Sequence, residues 1–313
     1  MLLSVEGLTI EAGGRRPILR EVSLTVGKGE IVGLVGESGS GKSTIARSVL
    51  RLLPAAARVS GRVLVSGEDV LTMGPAALRD LRAARVSMIY QDPRSSLNPV
   101  RRIGDFLTER MVLTLGRPKA EARARALELL AAVGMRDPEL RMRQYPHELS
   151  GGMLQRVVIA AALAADPALL LADEATSALD VTTQAETLAL LRGIQAEREL
   201  GMLFITHDLQ LAAAFCDRVH VLYAGTVVES RPAKELFEDP RHPYTAGLLA
   251  CTPELGDPRP IRPIPGRPPS LDDVFGGCPF APRCPDAAEA CGEWQPRPVT
   301  VSGGSAACRL VEV

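Results

Sequence analysis

The fold is indicated most clearly by one segment of the chain, Gly36-Glu37-Ser38-Gly39-Ser40-Gly41-Lys42-Ser43-Thr44. It fits the pattern G-x-x-x-x-G-K-[ST], and it lies between an apolar run at 31–35 and a helix predicted to begin near Lys42. Glycines allow the backbone to curl so that successive N–H groups face one phosphate, and the helix N-terminus adds a partial positive charge. Lys42 offers a point charge to the β and γ phosphate oxygens, and Ser43 offers a hydroxyl to Mg²⁺. A plain glycine-rich turn is the alternative, but the flanking strand and helix favour a nucleotide-binding P-loop.

Strand-like and helix-like segments alternate on both sides of this loop. Apolar runs at 31–35, 168–172 and 201–206 are each followed by a helix-like segment. Apolar runs without alternation are typical of strands covered on both faces, and strand–helix alternation indicates a parallel sheet with crossover helices. Between residues 91 and 150 the pattern is mostly helical, which predicts a helical insertion. We therefore expect an α/β fold of the P-loop NTPase class.

Length and composition limit the classes of protein to consider. The chain has 313 residues, of which 46% are hydrophobic and 23% charged, as in an ordinary globular protein. Its formal charge of −1 provides no overall attraction to nucleic acid or to an anionic membrane. The longest uncharged apolar stretch, 157–165, is about half of the ~18 residues that a membrane span requires. We expect the chain to be made and kept in the cytoplasm.

Two adjacent acids, Asp173 and Glu174, follow the apolar run at 168–172. At the carboxyl edge of a parallel sheet, this arrangement delivers a carboxylate to Mg²⁺. Because neighbouring strand residues point in opposite directions, Asp173 can face the metal, directly or through water, while Glu174 is left to act as general base. Acids at the start of a helix are the alternative, and the P-loop in the same chain favours the metal site.

Four further motifs are arranged along the chain: Tyr90-Gln91-Asp92-Pro93, Leu149-Ser150-Gly151-Gly152-Met153-Leu154-Gln155-Arg156, Ser177-Ala178-Leu179-Asp180 and Thr206-His207-Asp208. In this order they resemble the Q-loop, signature motif, D-loop and switch histidine of ABC ATPases. The resemblance implies an ABC-type ATPase core in which two subunits pair head to tail. Each ATP would then lie between the P-loop of one subunit and the signature motif of the other. Ser150 and the following glycines, at the start of a helix, would add N–H donors near the γ-phosphate.

The resemblance also implies roles for single residues. Lys42 would contact the phosphates, Glu174 would act as the base, and His207 would contact the γ-phosphate region. The expected ligands of Mg²⁺ are Ser43, Gln91 and Asp173. The expected nucleotide contacts outside the P-loop are Gln91, Ser150, Gly151, Gly152 and Asp180. Two residues depart from the family pattern, because Ala12 stands where an adenine-stacking aromatic is often found and Ala175 stands where proline is usual.

One branch of the family resembles this chain most, the ATPase subunits of dipeptide, oligopeptide and nickel importers. The features that resemble this branch are Met153 in the signature motif, the Q-loop continuation at 91–99, and Arg241-His242-Pro243-Tyr244-Thr245. The resemblance implies an ABC ATPase domain at 1–240 and a C-terminal extension at 241–313. A helical subdomain at about 92–155 would receive a short helix from a membrane subunit.

The implied function is ATP hydrolysis that drives import, most directly of dipeptides or oligopeptides, with nickel or another small solute as the alternative. Implied partners are a second ATPase subunit, homologous or identical, two transmembrane permease subunits and, through the complex, an extracytoplasmic substrate-binding protein. The chain would lie peripherally on the cytoplasmic face of the inner membrane. The rival function is a soluble ABC ATPase that acts on nucleic acid or ribosomes. Such proteins usually carry tandem ATPase domains, long coiled coils or basic inserts, and this sequence shows none of them.

Four of the six cysteines lie in the last 36 residues, at Cys278, Cys284, Cys291 and Cys308. Disulfides are disfavoured in a reducing cytoplasm, and this Pro/Gly-rich tail has few aliphatic side chains, so a metal centre held by four thiolates would supply a cross-link. Four cysteines suit either Zn²⁺ or a [4Fe–4S] cluster. The tail resembles the iron–sulfur-bearing extension of peptide-importer ATPases, and no C-x₂-C pair points to a zinc ribbon. We therefore expect a [4Fe–4S] cluster, with Zn²⁺ and unligated or disulfide-bonded cysteines as alternatives.

Overall fold

The computed structural model describes residues 1–11, 17–177, 179–252 and 263–311. Within these ranges there are twelve strands: β1 (Leu3–Glu11), β2 (Leu19–Val26), β3 (Ile31–Val35), β4 (Arg58–Val65), β5 (Glu68–Asp69), β6 (Val86–Ile89), β7 (Leu169–Asp173), β8 (Gly201–Ile205), β9 (Arg218–Tyr223), β10 (Thr226–Pro232), β11 (Val299–Val301) and β12 (Gly304–Ala306).

The same ranges contain ten α-helices: α1 (Lys42–Val49), α2 (Pro75–Asp80), α3 (Ile103–Glu109), α4 (Lys119–Ala132), α5 (Pro138–Arg143), α6 (Gly151–Leu163), α7 (Val181–Arg198), α8 (Leu209–Phe215), α9 (Ala233–Glu238) and α10 (Pro243–Ala250). No helix in the described part of the chain is long and apolar enough to cross a membrane.

The strands form two sheets. The larger sheet has the order β11-β12-β10-β9-β3-β8-β7-β6, and its five strands from β9 to β6 are parallel. The smaller sheet is antiparallel, in the order β2-β1-β4-β5. The strand that leads into the P-loop, β3, lies between β8 and β9, so the P-loop emerges from the interior of the parallel sheet.

Both faces of the parallel sheet are covered, as the unalternating apolar runs predict. On one face, Val32 and Leu34 of β3 pack with α1 and with the apolar side chains of the antiparallel sheet. On the other face, Ile31 and Val35 pack in a second core with the helices of the 91–150 region and with α6. Gly33 in the middle of β3 permits close packing, because a Cβ there would lie 2.9 Å from Cys216 Sγ.

The C-terminal region is joined to the parallel sheet rather than folded apart from it. The hairpin of β11 and β12 adds to the edge of the large sheet, where Glu229 of β10 pairs with Ala306 and Ser230 with Ser305. The Glu229 carboxylate is fully buried and accepts hydrogen bonds from the backbone N–H groups of Arg241 and His242. The start of α10 is therefore fixed to the sheet by a buried carboxylate.

A second attachment joins the cysteine-rich tail to the P-loop. The guanidinium of Arg283 donates two hydrogen bonds to the Glu37 carboxylate, at 2.7 and 3.0 Å. Arg283 also lies over the ring of Tyr223, at 5.9 Å from its centroid. The Glu37 N–H donates to the Tyr244 hydroxyl at 3.0 Å. One residue of the P-loop is thus held by both α10 and the tail.

Aromatic side chains fill the space behind this ion pair. The rings of Tyr223, Tyr244 and Phe280 are mutually packed, with centroid separations of 4.5 to 5.3 Å. All three side chains are buried. In a chain with only 4% aromatic residues, this cluster joins the end of β9 to α10 and the tail.

We predict a pH-dependent loss of stability caused by His242. Its Nδ1 accepts a hydrogen bond from the Tyr244 N–H. Burial of the imidazole lowers its pKa to about 4, and a hydrogen bond with the Ala307 backbone opposes this shift. The unfolded chain binds a proton here below about pH 6.5, whereas the folded chain does not until about pH 4. Folding stability therefore falls as pH drops through this window, by roughly 3 kcal/mol for this group.

Urea unfolding between pH 7.5 and pH 4 measures this effect. His242→Asn keeps a side-chain acceptor at the helix start and removes the titration, so its stability should fall less steeply with acidification than that of the parent. The exposed His147 offers a matched control, and His147→Asn should retain the parent slope. Equal slopes for all three chains would contradict the prediction.

We also predict that the Arg283–Glu37 pair contributes to stability. Arg283→Met leaves a carboxylate that is only 23% exposed without its cation, so the free energy of unfolding should fall by about 2 kcal/mol. Arg62 forms an exposed pair with Glu6, and Arg62→Met should cost no more than ~0.5 kcal/mol. Urea unfolding at neutral pH compares the two variants, and equal losses would refute a special role for Arg283.

Candidate nucleotide site

The P-loop follows β3 directly and leads into α1. Gly36, Gly39 and Gly41 all have positive φ angles, of 146°, 79° and 106°. At Gly36 a Cβ would lie 2.2 Å from the carbonyl oxygen of Leu222, so only glycine permits this approach to β9. The loop therefore has the curled backbone that directs successive N–H groups toward one point.

Lys42 is buried at the first position of α1. Its Nζ donates to the carbonyl oxygens of Gly36 and Glu37, at 2.8 and 2.9 Å, and so reaches across the loop. Burial lowers the pKa of Lys42, and the nearby Glu174 and Asp173 carboxylates oppose this effect. The ammonium group is thus held within the curve of the loop, close enough to the Glu174 and Asp173 carboxylates to interact with them.

The next residue links the P-loop to β7. Ser43 Oγ donates to Asp173 Oδ1 at 2.8 Å, although the two residues are 130 positions apart in sequence. Burial raises the pKa of Asp173, and the hydrogen bond from Ser43 opposes this effect. A hydroxyl and a carboxylate in contact form an oxygen-rich pair of the kind that Mg²⁺ prefers.

Glu174 has an unusual backbone conformation at the end of β7. Its φ angle is 49°, which is uncommon for a residue other than glycine, and its N–H donates to the Ile205 carbonyl at the end of β8. Its carboxylate accepts a hydrogen bond of 2.7 Å from Gln91 Nε2. His207 Nδ1 lies 3.4 Å from the other carboxylate oxygen. The chain thus brings together an acid, an amide and an imidazole that are distant in sequence.

These groups border one cavity of about 750 Å³, which is within the size range of small-ligand sites. The cavity is lined by Ile18, Ser38, Gly39, Gly41, Lys42, Ser43, Thr44, Gln91, Glu174, His207, Pro269, Ser270 and Leu271. Glu174, Gln91 and His207 lie at one part of the lining, and the P-loop lies beside them. A carboxylate next to a phosphate cradle can accept a proton from a water molecule.

The signature-motif residues do not line this cavity. Ser150 caps α6, where its Oγ accepts the Met153 N–H, and Gly151 and Gly152 form the first turn of that helix. Asp180 caps α7 and accepts both the N–H and the hydroxyl of Thr183, hydrogen bonds that lower its pKa. Ser150, Gly151 and Asp180 are exposed, and are therefore available to a second protein surface.

Four cysteines of the tail line a separate small cavity: Cys278, Cys284, Cys291 and Cys308. Burial raises the pKa of Cys284 to about 11, and the pKa values of Cys278 and Cys308 are raised for the same reason. In the ranges that the structure describes, no group of three or more His, Cys, Asp or Glu side chains is arranged to hold a metal ion. The predicted cluster is therefore not confirmed.

Sequence reasoning missed three parts of the site. Pro269, Ser270 and Leu271 come from the C-terminal extension, and Ile18 comes from the segment before β2. The ion pair of Glu37 with Arg283 was also not predicted. No local pattern marks these residues, because the extension residues and Arg283 meet the P-loop across more than 200 positions of sequence and Ile18 meets it only in the completed fold. The predicted Ala12 lies outside the described residues.

Comparison with known proteins supports the interpretation of this cavity as the nucleotide site of an ABC-type ATPase. Residues 19–177 match the family described as ABC transporter, and residues 228–291 match the oligopeptide/dipeptide transporter C-terminal region. The oligopeptide transport ATP-binding protein OppD of Salmonella typhimurium is 44% identical, over 93% of this chain and 87% of that protein. OppD of Escherichia coli is 42% identical, over 98% of this chain and 92% of that protein.

Solved structures show the same fold. The dimeric structure of MJ0796, a bacterial ABC transporter cassette, superposes with a TM-score of 0.66 at 28% identity and covers 74% of this chain and 99% of that one. The structure of cbiO1 from Clostridium perfringens, part of an ABC transporter complex, gives 0.67 at 27% identity, over 76% and 91% of the two chains. The fold class expected from the sequence is confirmed. The chain belongs to the ABC transporter family and is one of its ATPases.

Proposed function

We propose that this chain is the energy-coupling subunit of a membrane importer for dipeptides or oligopeptides. ATP binding closes a head-to-tail pair of ATPase subunits, and hydrolysis reopens it. The observation that carries the proposal is the meeting of Glu174, Gln91 and His207 beside the P-loop, in a chain whose C-terminal region matches that of oligopeptide/dipeptide transporters.

In this proposal, the P-loop holds the triphosphate. The N–H groups of Gly39, Gly41, Lys42 and Ser43 would face the phosphates, whereas that of Glu37 is bonded to Tyr244. Lys42 would move its ammonium group from the loop carbonyls to the β and γ oxygens. Ser43, Asp173 and Gln91 would hold Mg²⁺, which when bound neutralises charge on the β and γ phosphates. The residues present fit this ion, because a hydroxyl, a carboxylate and an amide oxygen are hard donors.

Glu174 is the proposed general base. A water molecule attacks the γ-phosphorus, its proton passes to the Glu174 carboxylate, and the bond to the β-phosphate oxygen breaks to give ADP and phosphate. Gln91 and His207 each contact one carboxylate oxygen, which fixes the orientation of the group. His207 is 61% exposed in its side chain and so can also contact the γ-phosphate.

The second half of each site comes from the partner subunit in this proposal. Ser150, Gly151 and Gly152 begin α6, whose N-terminus provides N–H groups and a partial positive charge for a γ-phosphate. Asp180, which caps α7 and is exposed, would contribute to the same interface. These residues do not line the cavity of their own chain. In a head-to-tail pair they would instead contact the ATP that is bound to the P-loop of the partner subunit.

The proposed partners follow from the family and from the helical insertion. Two permease subunits would contact the subdomain at about 92–155, which contains a groove of about 440 Å³ between α3, α4 and α5. Exposed apolar side chains beside it include Val100 and Leu113. The second ATPase subunit and, through the complex, a substrate-binding protein complete the assembly. The chain itself would lie peripherally on the cytoplasmic face of the membrane, with its ATPase domain at 1–240 and its extension at 241–313.

We also propose that the four tail cysteines hold a [4Fe–4S] cluster. The donor set fits, because four thiols line one cavity and a [4Fe–4S] cluster is held by four cysteine thiolates. Cluster binding would require the thiols to lose their protons, against the burial that raises the pKa values of Cys278, Cys284 and Cys308. The cluster would cross-link a tail with few aliphatic side chains.

The base assignment predicts opposite defects in two variants. Glu174→Gln should bind ATP but lose at least about 100-fold in turnover, and it should accumulate the closed dimer, because the proton acceptor is absent while the phosphate contacts remain. Lys42→Ala should lose ATP affinity. Phosphate release and ATP-dependent dimer mass by light scattering measure the two effects.

Exposed residues of the same types provide controls for these variants. Glu197→Gln in α7 and Lys234→Ala, whose side chain is 84% exposed, should retain parental turnover and affinity. Near-normal turnover in Glu174→Gln would overturn the base assignment, and unchanged ATP affinity in Lys42→Ala would overturn the phosphate site.

The cysteine proposal predicts colour and iron. Protein purified without oxygen should absorb broadly at about 400 nm and contain about four irons per chain. Cys284→Ala should lose most of both signals, whereas Cys251→Ala, outside the four, should retain them. A colourless parent that contains one zinc and no iron would support the zinc alternative and contradict the cluster.

A further inference from the structure

Part of the nucleotide cavity is lined by residues that belong neither to the P-loop nor to the other ATPase motifs. Its lining includes Ile18 and three consecutive residues of the extension, Pro269, Ser270 and Leu271. The segment 267–273, here termed the proline loop, is more than 220 positions from Lys42 in sequence. It nevertheless borders the same space as the phosphate-binding residues.

The proline loop and the P-loop line the same two cavities. Pro268 and Pro269 share a small cavity with Ser38, Gly39 and Ala224, and Pro269 lines the nucleotide cavity as well. Proline rings restrict the backbone, so a loop with two adjacent prolines offers a surface with little freedom to lose when a ligand binds. The loop is thus a continuation of the cavity wall and not a distant part of the tail.

Hydrogen bonds fix the conformation of this loop. The Asp273 carboxylate accepts the Ser270 N–H at 2.7 Å and a hydrogen bond from Arg267 at 2.8 Å, which ties the two ends together. Before the loop, the Pro265 carbonyl accepts the Arg283 Nε–H at 2.8 Å. The same guanidinium binds Glu37 of the P-loop. Arg283 therefore connects the base of the proline loop to the phosphate cradle.

The chemistry of the wall differs from that of the rest of the cavity. Glu174, Gln91 and His207 are polar and lie at the proposed hydrolytic end, and the P-loop supplies N–H groups and one ammonium. Ile18, Pro269 and Leu271 present alkyl surface instead. A nucleoside triphosphate has one apolar part, the flat face of its base, which gains most from contact with alkyl surface and loses least hydration there.

We infer that the proline loop is part of the nucleotide site, and that Leu271 and Pro269 pack against the nucleoside of ATP opposite Ile18. This inference rests on the proposed function, because it assumes that the triphosphate occupies the P-loop. It also gives the extension a role in nucleotide binding. This role matters because the chain has Ala12 at the sequence position where the family often has an adenine-stacking aromatic residue. In this chain an alkyl wall from the C-terminal region takes the place of aromatic stacking.

Truncation of Leu271 separates nucleoside contacts from phosphate contacts. Calorimetric titration of the full chain with Mg-ATP should show about a five- to tenfold weaker affinity in Leu271→Ala than in the parent. Titration with Mg-tripolyphosphate, which has no base or sugar, should give affinities within about twofold. Val274 lies three positions along and is 91% exposed, so Val274→Ala should match the parent with both ligands.

The outcomes distinguish this inference from the function on which it rests. Unchanged ATP affinity in Leu271→Ala, or equal weakening of ATP and tripolyphosphate, would overturn the nucleoside contact while leaving the ATPase intact. If Lys42→Ala binds both ligands as well as the parent does, the phosphate site itself fails, and the inference fails with it.

A second variant tests the contact without relying on affinity. Leu271→Trp places an indole on the wall, and the parent, which has the single tryptophan Trp294, gives the background emission. Bound ATP should quench the new emission, whereas bound tripolyphosphate should leave it unchanged. Emission that does not respond to saturating ATP would overturn the inference.

Discussion

The close approach of the P-loop to the end of β9 is the constraint on which the site depends. Gly36 lies against the Leu222 carbonyl, where a Cβ has no room, and the Gly225 N–H donates to the Ser40 carbonyl from the adjacent turn. The position of β3 beside β9 and the curl of the loop are therefore set by the same contacts. Side chains bring charge to the site, but the convergence of the N–H groups is a property of packed backbone.

The hydrolytic end of the cavity depends on a different kind of constraint. Glu174 has a left-handed backbone conformation that costs of order 1 kcal/mol or more, and such a conformation persists only where neighbouring structure enforces it. The hydrogen bond from its N–H to Ile205 provides that enforcement, because it joins the ends of β7 and β8. The sheet thus holds the main chain of Glu174 in place, and Gln91 and His207 orient its carboxylate.

The sequence was sufficient to predict the parts of the protein that local patterns encode. The loop before Lys42, the acids after β7 and the alternation of strands and helices each depend on neighbours within a few positions. The pairing of β12 with β10 and the contact of Arg283 with Glu37 do not, because the tail has no periodic pattern that marks its partner. The place of Leu271 in the nucleotide cavity could not be predicted for the same reason. Its neighbours in space are determined by the completed fold.

The ion pair between Glu37 and Arg283 constrains how proteins of this type can change over time. An ancestor that discarded its tail while keeping Glu37 would leave an uncompensated carboxylate beside an incoming triphosphate, where two like charges repel. Replacement of that glutamate by a neutral residue removes the repulsion and also makes the arginine dispensable. The acid of the P-loop and the arginine of the tail are therefore coupled, so that loss of either one alone leaves the other without its counter-charge.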